Sequence, residues 1–461
     1  MTDAPQVVVI GAGISGLSCA YYLRQLKVPV VLLESSARPG GLLNSVERDG
    51  FLFEGGPQSF QGTETLEGLI NELEISGELV KADPQAPRYV LQKGRLKQIP
   101  MSPQALLTSS LLSPGSRWKL ASEPFRRTSP PGHEESVADF VRRKFGHEIL
   151  EYLVSPFVSG VYAGDPETLS LKAAFPSLEQ WEREYGSVLR GAMKSRGKKT
   201  GIKGPPPLCS FRRGVATLPR AIANSLGDAL QTGSAVLSVR RAAGPGGAYE
   251  VHAQTLGQEE VRRASAVVLC TPAYVAAQLL ASVSSRVGMT LSGIAYAPVA
   301  VVAAAYDRTK VRNALDGFGF LVPRKEKTRI LGTVWNTSLF PGRAPHDKVV
   351  ITSFLGGAAD LEMVSKSRED IAAAAREDNA KILGIEGKPL TSEVWTYSRA
   401  LPQYNLGHHH AVEELRSGER ETPGIFFGGN YLEGPAIGKC VDQGFRTAEA
   451  VRDFLSQGTR A

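Results

Sequence analysis

A chain of 461 residues is too long for one hydrophobic core, so two or three domains of ordinary size are expected. Hydrophobic residues at 42% and charged residues at 21% exclude a disordered or fibrous chain, and no apolar run approaches the ~20 residues that span a bilayer. The net charge of +7 suits an anionic partner; without any RNA- or DNA-binding signature, nucleic acid is set aside in favour of an acidic small molecule or an anionic lipid surface.

Four scattered cysteines, Cys19, Cys209, Cys270 and Cys440, form no C-x-x-C pair, which argues against a zinc site or disulfide framework and points to a reducing, cytoplasmic compartment. No metal ligand set is expected: there is no H-E-x-x-H, and His408-His409-His410 reads as a solvated loop, since consecutive residues rarely converge on one ion. Strand-like Val7-Val8-Val9-Ile10 begins at once, without the charged n-region of a signal peptide.

In chain order, residues 5–34 read as strand, glycine turn, helix and strand. Residues 102–150 look helical and amphipathic, interrupted by Pro103, Pro114, Pro124 and the Pro130-Pro131-Gly132 break. The stretch from Arg190 to Lys203 holds six cations and no acid and runs into Gly204-Pro205-Pro206-Pro207, the composition of a linker or exposed loop. Strand signals recur at 234–240, 249–253, 266–270, 298–306, 318–322, 330–335 and 349–355, and a helical pattern covers 368–383. The end supplies a strand at Gly424–Phe427, a glycine-rich turn, and a helix over Val441–Leu455. The fold class expected is α/β, with a discontinuous Rossmann-type nucleotide domain (1–84, 206–272, 412–461), an α+β substrate domain (85–101, 273–411) and an inserted helical domain (102–205).

Gly11, Ala12, Gly13, Ile14, Ser15 and Gly16 spell G-x-G-x-x-G between a strand and a helix. The first glycine permits the tight turn, the second lets backbone approach a pyrophosphate, and the third lets helix pack on strand. Glu34 ends the second strand near the ~20-residue spacing of an acid that binds ribose hydroxyls, and its charge would repel the 2′-phosphate of NADP. Arg38-Pro39-Gly40-Gly41 follows, and far away Phe427-Gly428-Gly429-Asn430 leads through Gly434-Pro435-Ala436-Ile437-Gly438 into a helix. Two separated glycine approaches suit FAD better than NAD.

The R-x-G-G after the ribose acid resembles the flavoprotein superfamily of amine oxidases, phytoene desaturases and protoporphyrinogen oxidases. Further segments in family order resemble the protoporphyrinogen oxidase and coproporphyrinogen III oxidase family: Glu54-Gly55-Gly56-Pro57-Gln58-Ser59, Ser159 to Pro166 with Leu169-Ser170, Ala174-Phe175-Pro176, Gly317 to Pro323, Pro402-Gln403-Tyr404 and Gly428-Gly429-Asn430-Tyr431. The resemblance implies FAD contacts from Gly11 to Gly16, Glu34, Ser35, Leu42, Gly56, Pro57, Gln58, Ser59, Val236, Pro435, Ala436 and Ile437. It also implies that Arg88 faces a carboxylate of the porphyrinogen, with Leu321, Val334, Phe354 and Gly160 around the macrocycle.

From the residues alone, Arg88 reads either as the fork that binds a propionate or, like Lys93, Arg95 and Lys97, as a solvated cation, and Leu321, Val334 and Phe354 read more readily as plain core than as ring walls. No catalytic triad or carboxylate pair stands out, as hydride transfer to a flavin allows. The reaction expected is three two-electron oxidations of protoporphyrinogen IX, with dioxygen reduced to hydrogen peroxide. Coproporphyrinogen III, another amine or carotenoid substrate, and a non-catalytic binding protein like the Rab GDP-dissociation inhibitors stay as alternatives. Leu106, Leu107, Leu111, Leu112, Trp118, Leu120 and Phe125 beside Arg117, Lys119, Arg126 and Arg127 suit either peripheral contact with the cytoplasmic membrane or plain core packing. The oligomeric state, a dimer included, is left open.

Overall fold

The computed structural model describes residues 7–130, 132–198, 207–243 and 248–458. Val7–Ile10 is apolar at every position because its strand is covered on both faces. It lies in the middle of a five-stranded parallel sheet ordered Leu230–Gln231, Val30–Leu33, Val7–Ile10, Ala266–Leu269, Ile425–Phe427. Side chains alternate between faces. Val7, Val9, Leu32 and Val268 therefore enter one core, with residues of the helices Ile14–Gln25, Glu64–Glu72, Thr217–Leu226 and Ile437–Gly458. Val8, Ile10, Leu33 and Val267 enter another, shared with the antiparallel sheet Ser234–Arg241, Tyr249–Thr255, Gln258–Ala264.

The helices Ala273–Leu279 and Ser285–Ser292 supply Ala276, Val287 and Leu291 to that second core. The segment 273–294 thus packs with the nucleotide domain, not with the substrate sheet to which the sequence reading assigned it. The boundary moves because short Ala-rich helices carry no mark of which sheet they cover.

The second large sheet has seven strands, ordered Thr391–Pro402, Tyr296–Asp307, Lys348–Gly356, Ile330–Val334, Gly319–Leu321, Arg88–Gln92, Arg95–Gln98. All its pairs are antiparallel except Gly319–Leu321 against Arg88–Gln92. The helix Arg368–Leu383 covers one face, where Ala300, Val302, Phe320, Leu355, Ile371 and Ala375 form a core. The other face looks toward the nucleotide domain.

Helices between 103 and 198 form a third body around Leu112, Phe140, Val141, Leu150 and Leu171. The helical stretch is broken at the prolines as expected, and Pro103 and Pro114 each open the next helix, in the first turn behind the caps Ser102 and Ser113, where a missing N–H costs nothing. The cationic stretch is corrected over its first part, since Val188–Lys198 is a helix; the remainder of the linker expectation, 199–206, lies outside the described residues. Glu123, fully buried, accepts from Ser187 Oγ (2.5 Å) and from the N–H of Val188 (3.0 Å), capping that helix. His408-His409-His410 is also not a loop. It opens the helix His408–Glu421, with His408 buried against the Tyr431 carbonyl (2.9 Å) and His409 paired with Glu134 (3.1 Å).

Candidate cofactor and substrate site

Gly11 has φ +98°, and a Cβ there would stand 3.0 Å from the Cys270 carbonyl oxygen. At Gly16 it would fall 2.0 Å from the Gly11 oxygen, so helix and strand touch as the motif requires. A Cβ on Gly13 would meet no atom of the described residues within 4 Å, which leaves the space in front of the helix N-terminus open for an anionic ligand. Ile14 and Ser15 form the buried first turn beyond it. Glu34 accepts the Ala12 N–H (2.7 Å) with one oxygen and the Ser36 N–H (2.8 Å) with the other, while the Ser35 hydroxyl is 3.4 Å away, so the acid sits against the glycine loop. Ser234 donates its N–H to the Glu34 carbonyl (2.8 Å), which starts the strand bearing Val236 beside that acid.

The second glycine pair folds back over the first. Gly40 donates to the Ala12 carbonyl (2.8 Å), and a Cβ on Gly41 would reach 3.4 Å from the Gly13 Cα. Arg38 locks this turn by donating to the Gly41 carbonyl (2.8 Å). From the far end of the chain, Gly429 donates to Gln443 (2.8 Å), and the closing helix begins at Ile437 rather than Val441. Pro435, Ala436 and Ile437 therefore stand at its N-terminus, and Gly444 packs within contact of Ser15 and Ser18, so the closing helix runs against the first turns of Ile14–Gln25. Beside Gly11, the buried Thr271 hydroxyl has no hydrogen-bond partner among the described residues. An acid on the loop, open space over Gly13, side-chain-free backbone at Gly41 and an orphan hydroxyl together fit a dinucleotide.

Gly55 and Gly56 carry this path toward the second sheet. A Cβ on Gly56 would stand 2.2 Å from the Leu42 carbonyl oxygen, and one on Gly55 would meet Trp395 at 2.9 Å. Tyr397 donates its hydroxyl to the Gly55 carbonyl (2.8 Å), while Gln58 is buried under the turn beside the partly exposed Pro57 and Ser59. Glu54, just before the turn, accepts from Ser45 Oγ (2.5 Å) and the Val215 N–H (3.0 Å). Burial pushes its carboxyl up to about 7, against the pull of Ser45, Arg343 and the Val215 N–H.

Sheet register decides where the expected substrate residues point. Val90 is opposite Leu321, Arg88 opposite Gly319, Gly319 opposite Val334, Val334 opposite Thr352, and Gly332 opposite Phe354. Directly opposed residues share a face, and their neighbours Phe320 and Leu355 belong to the core under the helix Arg368–Leu383. Arg88, Leu321, Val334 and Phe354 consequently share the other face, turned toward Gly55 and Gly56. Leu321, Val334 and Phe354 are each only partly buried there, unlike true core residues. Gly160 joins them from the helical body: a Cβ on it would lie 2.4 Å from the Leu321 Cδ2. Arg88 lies over the Phe318 ring (5.4 Å), and burial lowers its pKa. Among the described residues no carboxylate lies within ion-pair distance of it.

Sequence reasoning missed the longest edge strand, Thr391–Pro402, and with it Trp395 and Tyr397, which alternate along it onto the same face. A period of two was readable at Trp395 and Tyr397, but only those two residues carry it, and Ser392, Glu393, Thr396 and Ser398 around them masked it. It also missed Asn336, fully inside the protein, which donates to Gln58 Oε1 (2.6 Å) and accepts from Thr352 (2.8 Å). Three of the resembling segments meet at a single junction. Gln403 donates to the Tyr162 carbonyl (2.9 Å), Ser170 to the Tyr404 carbonyl (2.8 Å), and Tyr404 to the Asn430 carbonyl (2.5 Å).

Residues 14–452 match the family described as flavin containing amine oxidoreductase. The chain is 37% identical to the chloroplastic protoporphyrinogen oxidase of Oryza sativa subsp. japonica, over 98% of its own length and 88% of that protein. It is 35% identical to the chloroplastic enzyme of the same name from Nicotiana tabacum (98% and 86%) and 29% identical to coproporphyrinogen III oxidase of Bacillus subtilis (99% and 99%). In fold it resembles a solved structure from Exiguobacterium sp. 255-15, with a TM-score of 0.83 at 24% identity over 98% and 99% of the two chains. It also resembles reduced UDP-galactopyranose mutase, with a TM-score of 0.74 at 15% identity over 99% and 98%.

Proposed function

Because this chain belongs to the flavin containing amine oxidoreductase family, as an FAD-dependent oxidoreductase, we propose that it oxidises protoporphyrinogen IX to protoporphyrin IX. The observation that carries the reading is the half-buried Arg88, without a counter-ion among the described residues, on one apolar face with Leu321, Val334 and Phe354 and opposite the Gly55-Gly56 turn. A large flat ring with propionates needs that combination: apolar walls to hold the ring and a fixed fork for one carboxylate. The relatives named for protoporphyrinogen support this substrate over coproporphyrinogen III, whose named relatives are less similar.

The bound flavin supplies the acceptor for a hydride leaving carbon. The chain's own residues do the rest. Leu321, Val334 and Phe354 exclude water and fix the plane of the ring, Arg88 fixes its rotation within that plane, and Gly160 leaves room for its edge. The conversion removes six hydrogens, hence three two-electron steps, and dioxygen is the proposed final acceptor, leaving as hydrogen peroxide. Aerobic turnover of protoporphyrinogen IX beside coproporphyrinogen III, followed by porphyrin fluorescence and peroxide release, tests the reading. Faster turnover of the second, or of neither, would overturn it.

Peripheral contact with an anionic, cytoplasmic membrane surface belongs to the same proposal. Among the stretch expected to seat there, Leu111, Leu112 and Leu120 are internal, but Trp118 (71% exposed) and Phe125 (84%) stand in solvent. Arg190 lies over the Phe125 ring (5.9 Å), a pairing of aromatic and cation that suits a lipid headgroup layer. Co-sedimentation with anionic but not neutral vesicles is the expected result.

A further inference from the structure

A buried hydrogen-bond relay crosses from the macrocycle-facing sheet to the cofactor turn, and its polarity is fixed from one end. The Gln58 amide nitrogen lies 2.7 Å from the Gly56 carbonyl oxygen and 3.4 Å from that of Glu54. Both are acceptors, so the NH₂ group must face them and Oε1 must face away. Oε1 then accepts from Asn336 Nδ2 (2.6 Å), and Asn336 Oδ1 accepts from the Thr352 hydroxyl (2.8 Å). Gln58, Asn336 and Thr352 are 7%, 2% and 0% exposed, so water does not compete for these bonds.

The ends of the relay are the two surfaces between which the ring is held. Thr352 lies opposite Val334 and two residues before Phe354 on the substrate face. Gly56, at the other end, is wedged against Leu42 so closely that its turn has no room to slide in that direction. Asn336 itself begins the short helix that follows the Ile330–Val334 strand. We propose that Asn336 is a positioning residue, whose amide holds the Gly56–Gln58 turn at a set orientation to the sheet and so sets how the flavin meets the substrate face. The proposal rests on the reading of the glycine path as the FAD site.

The test uses the full chain loaded with FAD, with Asn336→Asp as the decisive variant. Aspartate keeps the shape of asparagine, but its carboxylate has no proton for Gln58 Oε1, so the Gln58 amide must turn and set its oxygen against the Gly56 carbonyl. The readouts are the visible circular dichroism of the bound flavin and the FAD dissociation constant. At about pH 8 a changed flavin band and affinity weakened on the order of tenfold are expected. A buried carboxyl takes up a proton readily, so by about pH 5.5 the variant regains its donor and returns toward wild type. A packing role would show no such recovery. Wild-type flavin spectra and affinity in Asn336→Asp at both pH values would overturn the proposal, as would a defect independent of pH. Should that variant not fold, Thr352→Val decides: a weaker change in the same flavin band supports the relay, and an unaltered band and affinity defeat it. A wild-type chain that takes up no FAD would overturn the cofactor reading, and is recognised by the missing flavin spectrum.

Discussion

The glycine cradle and the face proposed for the substrate are built by opposite means. The cradle is local and made of backbone: Gly11 to Gly16, Glu34, Gly40 and Gly41 lie within 31 residues of one another and touch through N–H groups, carbonyls and absent side chains. The face is remote and made of side chains: Arg88, Leu321, Val334 and Phe354 come from four strands, brought together only by sheet register. Substitutions in the cradle should therefore act on whether cofactor stays bound, and those on the face on which substrate is held.

The largest expected effects come from two glycines in the same loop, and they differ in kind. Gly13→Val places its methyl groups in space that no described residue occupies. Its cofactor-free melting should stay near wild type while FAD affinity falls on the order of 10³-fold, about 4 kcal/mol. Gly16→Ala instead drives a Cβ to 2.0 Å from the Gly11 oxygen and should cost about 3 kcal/mol of folding stability with or without FAD. Denaturation of each variant with and without cofactor separates the two. Equal loss of stability in both would remove the open space over Gly13 as the ligand's place.

This contrast explains what the sequence revealed. The βαβ unit was legible because its glycines, its acid and its apolar strands fall within thirty residues in a spacing set by local geometry. The closing helix was legible as a helix but not to its start, because Pro435 and Gly438 mimic a loop. The parts read poorly all depended on long-range pairing. Ala276 and Val287 could have covered either sheet; Trp395 and Tyr397 needed the partners Val301 and Val299 to show which way they point. His408 looked solvated because nothing near it in sequence announces Tyr431, 23 residues on. Arg88 stood out by resemblance alone; that the sheet half-buries it, with no carboxylate of the described residues beside it, depends on register no local pattern shows.

Glu54 stands where the two constructions meet and gives a second, smaller handle. Its carboxyl ionises at about 7 in the folded chain against an ordinary 4.5. Below pH 4.5 both folded and unfolded chains hold the proton, and the stability is fully present. As pH rises the unfolded chain ionises first, so stability is lost progressively up to and through 7, by about 3 kcal/mol. Glu54→Gln keeps an acceptor for the Val215 N–H on one arm and turns its NH₂ toward the Ser45 oxygen on the other, and it has no titratable proton to lose. The unfolding free energy of the cofactor-free variant should lose this slope between about pH 5 and pH 8. An unchanged slope would assign it to other groups.

The smallest effect tests the remote half alone. Arg88→Ala removes a half-buried guanidinium that no carboxylate of the described residues balances, so the fold itself should lose little. A charge-assisted bond to a propionate contributes about 1.5–3 kcal/mol, and KM for protoporphyrinogen IX should rise between about tenfold and 100-fold with FAD fully retained. Arg88→Lys keeps the charge but not the planar two-pronged donor; its KM should fall between the two. If Arg88→Ala lowers kcat and FAD content together while KM holds, the arginine serves the cradle's packing, and the division between a backbone half for cofactor and a side-chain half for substrate fails at that residue.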